Sequence, residues 1–131
     1  MTLTRPLLRG FLLLGAGMLA ACSGGDEAVQ VPAQAWQGLE VRVESRPSPP
    51  RAGANEFLVI VSEKRGKPAH NLVVSLRTSD RDDWKQAIQD GQVGVYRRAI
   101  EARPGERSTL QVQLKGRGAE GVLRFPLQLA P

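Results

Sequence analysis

From Trp36 to the C terminus the apolar residues recur at every second position in short runs, parted by clusters of Gly, Pro, Asn and Asp at nearly even spacing. Side chains of an extended strand point to alternate faces, so this period marks strands with one buried and one wet face. Repeated with turn residues between them, such runs predict an all-β chain folded as an antiparallel β-sandwich of about seven strands. Residues 39–43 place Leu39, Val41 and Val43 on one face and Glu40 and Arg42 on the other. Residues 108–114 do the same with Leu110, Val112 and Leu114, and residues 122–129 with Leu123, Phe125, Leu127 and Leu129. Pro126 lacks the N–H that a central strand needs, which puts this last strand at an edge or ends its pairing there.

Residues 56–62 contain Phe57-Leu58-Val59-Ile60-Val61 without alternation, the pattern of a central strand covered on both faces. Before them, the prolines of Arg46-Pro47-Ser48-Pro49-Pro50-Arg51 deny ladder donors and favour extended backbone, which predicts a stiff crossing loop. After them, Gly66 and Pro68 signal a turn into a strand over residues 71–77, so these two strands are expected to pair as a hairpin. Residues 82–89 admit two readings. Asp82 or Asp83 caps a short helix that stacks Trp84 on Ile88, or Trp84, Gln86 and Ile88 line one face of a strand. The strand is favoured because Asp90-Gly91 is a two-residue hairpin signal, with residues 93–100 as the returning strand.

The start of the chain follows another rule. Arg5 and Arg9 precede an apolar run over residues 11–21, the charged and hydrophobic regions of a secretory signal peptide. The run is shorter than the ~20 residues of a spanning helix and carries Gly15 and Gly17. It ends in Leu19-Ala20-Ala21-Cys22, which resembles the lipobox of bacterial lipoprotein precursors. The resemblance implies that the Cys22 sulfur is alkylated with diacylglycerol, that the chain is cut before Cys22, and that the new amino terminus is acylated. Two or three chains hold where one anchors weakly, since each buried methylene contributes ~0.8 kcal/mol. The expected organisation is a signal peptide over residues 1–21, the lipidated cysteine and a flexible tether over residues 22–35, and the sandwich over residues 36–131. Ser23 after the cysteine resembles the enteric route to the outer membrane, so the expected place is the periplasm, on that membrane.

Composition then narrows the chemistry. A lone Cys22 forms no internal disulfide and no zinc pair. Both methionines, Met1 and Met18, lie in the signal peptide, and His70 is the single histidine, so soft-metal ligands are scarce. Asp80, Asp82, Asp83 and Asp90 lack the glycine and closing glutamate of a calcium loop. No metal site and no cofactor are therefore expected. A catalytic triad could draw only on His70, there is no G-x-S-x-G, and the adjacent carboxylates Asp82 and Asp83 point to opposite faces of a strand. No catalytic residue is assigned and no enzyme is expected. Without Arg5 and Arg9 the formal charge falls from +5 to +3, with acids and bases interspersed, which disfavours nucleic acid as a partner.

Four short motifs occur in order: Ala52-Gly53-Ala54-Asn55 before the apolar strand, Gly66-Lys67-Pro68, Gly94-Val95-Tyr96, and Pro104-Gly105. Together they resemble the immunoglobulin-like domains of the YtkA and FixH type, small bacterial envelope domains, over residues 38–129. The resemblance implies that the sandwich is immunoglobulin-like and that it has a role in copper handling or in assembly of membrane oxidases. Several members carry Met and His after the third strand, where this chain has Ser79-Asp80-Arg81-Asp82-Asp83-Trp84. The function expected is a lipid-anchored periplasmic binding or assembly module without catalytic activity. Its partners are the membrane, through Cys22, and an envelope protein; no small-molecule ligand is singled out. The alternatives are a copper-handling accessory protein and an inhibitor or scaffold of an envelope enzyme.

Three residues of the sandwich are candidate contacts. Trp84 lies among charged residues and is either a contact anchor or a core residue. Arg97 and Arg98 are consecutive, so in a strand one faces outward. Arg98 shares a face with Tyr96 and Ile100; it must snorkel, pair with an acid such as Asp82 or Asp90, or await an anionic ligand, and the internal ion pair is favoured.

Overall fold

The computed structural model describes residues 31–104 and 108–131; Cys22, the signal peptide, the tether up to residue 30 and Gly105 lie outside them. Among the described residues the strands are β1 (Gln34–Trp36), β2 (Leu39–Arg46), β3 (Gly53–Ser62), β4 (Val73–Arg77), β5 (Lys85–Gln86), β6 (Ile88–Gln89), β7 (Val95–Ala102), β8 (Thr109–Gly116) and β9 (Ala119–Pro126). They form two antiparallel sheets, one ordered β1-β2-β3-β7-β6 and the other β5-β4-β8-β9. The sheets pack as an all-β sandwich. Alternate residues of the longer strands supply the core: Leu39 and Val41, Phe57, Val59 and Val61, Val74 and Leu76, Tyr96 and Ile100, Leu110, Val112 and Leu114, and Phe125. As its unbroken apolar run predicts, β3 is central, paired with β2 and β7, and Leu58 is buried as well. β9 is an edge strand that stops at Pro126.

Several local expectations are corrected. The first strand begins at Gln34, inside the stretch read as tether, and returns through Gln37-Gly38, both at positive φ. Gln-Gly is a weaker turn signal than Asn-Gly, which hid this hairpin. Strands β3 and β4 do not pair as a hairpin. Both edges of β3 are occupied, so the chain crosses over residues 63–72 to the other sheet, burying Ala69 and Leu72 on the way. The proline segment, by contrast, does not cross: β2 and β3 pair from Glu40 and Ser62 down to Arg46 and Glu56, so it is the turn of a hairpin.

Residues 82–89 form neither a helix nor one strand. The chain changes sheets at buried Ala87, with β5 against β4 and β6 against β7. Trp84 and Gln86 therefore share no sheet face with Ile88, which is exposed. The Asp90-Gly91 hairpin exists but is wider than two residues: Asp90 N–H donates to Val95 C=O at 2.8 Å, and Val93 is exposed instead of starting the strand.

Tyr96 holds the crossing segment. Its hydroxyl donates to Ala69 C=O at 3.0 Å and accepts from Leu72 N–H at 3.3 Å. Burial pushes the phenol above its ordinary value, outweighing the bond from Leu72. A raised phenol contributes stability that is whole below the unfolded value, about 10, and is lost as pH rises through the folded one. Tyr96 is the single tyrosine, so an absorbance titration of the folded chain should place its midpoint above that of the urea-unfolded chain. Tyr96→Phe should cost about 1–2 kcal/mol in urea denaturation and abolish the alkaline loss. Coincident folded and unfolded midpoints would contradict this.

Candidate functional site

Val74 and Leu76 of β4 and Leu110 and Val112 of β8 point into the core, which turns their neighbours Arg77 and Gln111 to the outer face of the four-stranded sheet. Strand register then sets Arg77 beside Gln111 and Gln111 beside Arg124 of β9. The three side chains form one row across the sheet. Gln111 is only 3% exposed, unusual for an outward polar residue. Its amide is used at both ends: Arg77 Nε donates to Gln111 Oε1 at 2.8 Å, and Gln111 Nε2 donates to Asp80 Oδ1 at 2.6 Å.

The turn after β4 places the carboxylate. Asp82 N–H donates to Ser79 C=O at 3.1 Å, and Arg81 N–H to Ser79 Oγ at 3.2 Å. Asp80 thereby hangs over the row, with Arg77 and Arg124 each 3.7 Å from the same Oδ1. The Gln111 hydrogen bond first, and then the charges of Arg124 and Arg77, hold the Asp80 carboxyl below its ordinary value although burial opposes them. Trp84 completes the group. The Arg77 guanidinium lies over the indole, its central carbon 4.1 Å from the ring centroid, a cation–π contact. Arg77 also donates to the Asp82 carbonyl at 3.4 Å, and the Asp82 carboxylate accepts from Arg103 at 2.8 Å. Arg77 is thus gripped on several sides by the protein itself.

Trp84 is accordingly a half-buried surface residue; the tryptophan of the core is Trp36. Arg97 lies on the opposite side of the molecule, on the outer face of the five-stranded sheet. It donates to the Asp90 carboxylate and stands 3.7 Å from Glu56 Oε1, a buried oxygen without a hydrogen-bond partner. The three sequence candidates are therefore not brought together.

Arg98 does share the face of Tyr96 and Ile100, but the internal ion pair expected for it is corrected. Among the described residues no carboxylate pairs with Arg98, and Asp82 and Asp90 are taken by Arg103 and Arg97. Arg98 is half-buried in the middle of β7, opposite Phe57 of β3 and just past the short β6 pairing, so it keeps access to solvent, as a snorkelling arginine requires. Arg98→Met keeps the stem and drops the charge, and it should melt at or above the wild-type temperature. A fall of several degrees would restore the internal pair.

The acids read as possible cation ligands are engaged differently: Asp80, Asp82 and Asp90 each face arginine. Among the described residues no three His, Cys, Asp or Glu side chains cluster to hold a metal, and His70 is exposed in a loop. A concavity of about 890 Å³ lies between Val31, Val43, Pro49, Leu127 and Leu129, away from the row at Arg77. Sequence reasoning missed Arg77, Gln111 and Arg124. Parity marks each as outward, yet nothing local says that three different strands align them. No family model, curated protein or solved structure matches the chain.

Proposed function

We propose that this chain is a lipid-anchored protein of the bacterial periplasm whose sandwich binds a partner without chemistry of its own, through the outer face of the four-stranded sheet. The observation that carries this reading is the polar row Arg77–Gln111–Arg124, in which Gln111 is buried and Arg77 is held by Gln111 and stacked on Trp84. Rigid Arg and Trp side chains lose little freedom on contact, and both residue types are enriched at binding hot spots. Exposed Val122 lies one register step from Arg124 on the same face and supplies apolar contact. Anchoring rests on the lipobox resemblance at Cys22, and the outer membrane on Ser23.

A photo-crosslinking residue at Val122, compared with one at Ile88 on the other sheet, tests the face. Adducts in intact cells are expected from Val122 and not from Ile88, and equal labelling would remove the assignment. The anchor is tested separately. Cys22→Ser should abolish incorporation of a labelled fatty acid and leave an unprocessed precursor, because the thioether requires sulfur; label persisting in that variant would end the lipoprotein reading.

A further inference from the structure

Asp80 is an imperfect occupant of the row it covers. A single carboxylate oxygen accepts from Gln111 at 2.6 Å, while both guanidinium groups stay at 3.7 Å, beyond hydrogen-bond range. The carboxylate is 72% exposed, on a turn, whereas Arg77 is mostly covered and Gln111 nearly wholly so. Arg77 and Gln111 are built in, Arg124 stands exposed beside them, and the acceptor they share is loosely hung. Guanidinium groups favour oxyanions that offer several oxygens in a fixed array, and one oxygen of Asp80 cannot serve two of them and an amide together.

We propose that Arg77, Gln111 and Arg124 form a binding site for a phosphomonoester group, closed in the free protein by Asp80, which the ligand displaces. A tetrahedral phosphate has enough oxygens to give each guanidinium and the Gln111 amide its own acceptor, and its charge at neutral pH exceeds that of the carboxylate it replaces. Trp84 keeps Arg77 in place through the exchange, since the stack and the bond to Gln111 do not involve Asp80. The inference rests on the binding-face reading and names the ligand chemistry of that face.

The test is calorimetric titration of the full chain in nonionic detergent with inorganic phosphate. Asp80→Ala, at an exposed position, should bind phosphate about tenfold or more tightly than wild type, because the built-in competitor is gone. Adding Arg124→Gln should return affinity to the wild-type level or below; Arg124 is itself 59% exposed, so the fold survives the change. No tightening in Asp80→Ala, or tightening that outlasts Arg124→Gln, would overturn the site. Acetate should gain less than phosphate from Asp80→Ala, and an equal gain would refute the choice of phosphate. Micelles doped with phosphatidic acid distinguish the source: stronger binding than to inorganic phosphate assigns a lipid headgroup, and equal binding a free phosphomonoester. Failure here with Val122 crosslinks intact would remove the phosphate and leave the binding face, whereas lost crosslinks with phosphate binding intact would do the reverse.

Discussion

Gly94→Ala is expected to destabilise the domain by about 3 kcal/mol or more, enough to leave much of a marginally stable chain unfolded. Gly94 sits at φ +73°, where an L side chain is strained, and an added Cβ would meet Val61 O at 2.5 Å and Ala69 N at 3.1 Å. Those two atoms are themselves hydrogen-bonded at 2.9 Å, and Gly94 C=O accepts from Val61 N–H at 2.8 Å. The methyl group would therefore part three backbones: the end of β3, the crossing segment and the β6–β7 turn. Gly91→Ala is the control. It lies at φ +61° with nothing within 4 Å of an added Cβ, so it should cost only the conformational share, about 1 kcal/mol. Urea denaturation of both variants separates packing from strain, and equal losses would show that the crowding at Gly94 is not felt.

Asn55→Ala is expected to cost about 2–3 kcal/mol. The Asn55 side chain is 2% exposed on the inward face of β3. Its Nδ2 donates to Arg51 C=O at 2.7 Å and to Gly53 C=O at 3.0 Å, while Oδ1 accepts from Arg51 N–H at 2.9 Å. One amide thus satisfies three part-buried backbone groups of the proline turn, and alanine would release all three and leave a gap where the amide was buried. Asn55→Asp keeps the acceptor and sets a carboxylate against two carbonyl oxygens, so near neutral pH it should be at least as damaging as alanine. Thermal melts of the three proteins decide it. An aspartate variant as stable as wild type would show that the donors, and with them this account of the turn, matter little.

The Asn55 amide also gives physical content to the motif Ala52-Gly53-Ala54-Asn55. Its buried asparagine is needed because the prolines around it cannot donate to the backbone. Gly94-Val95-Tyr96 is likewise a packing device, with the glycine fitted against Val61 and the tyrosine hydroxyl tied to residues 69 and 72. Both motifs serve the fold, and neither touches the row at Arg77.

The apolar pattern by itself determined that this chain is all-β and which side chains of β2, β8 and β9 enter the core, while the unbroken run of β3 marked it as central and Pro126 marked β9 as an edge. A period of two is a local property, enforced by the pleat of each strand, so it can be read without knowing any neighbour. Which strands become neighbours is another matter. The crossing after β3, the change of sheet at Ala87 and the alignment of Arg77, Gln111 and Arg124 depend on edges already occupied and on register between segments far apart in the chain. The internal partner expected for Arg98 was lost for the same reason: Asp90 stands across the turn from Arg97, one residue away and on the other face of the strand. Tertiary structure decided the candidate site because a row across a sheet has one residue from each strand, and no single strand carries its signal.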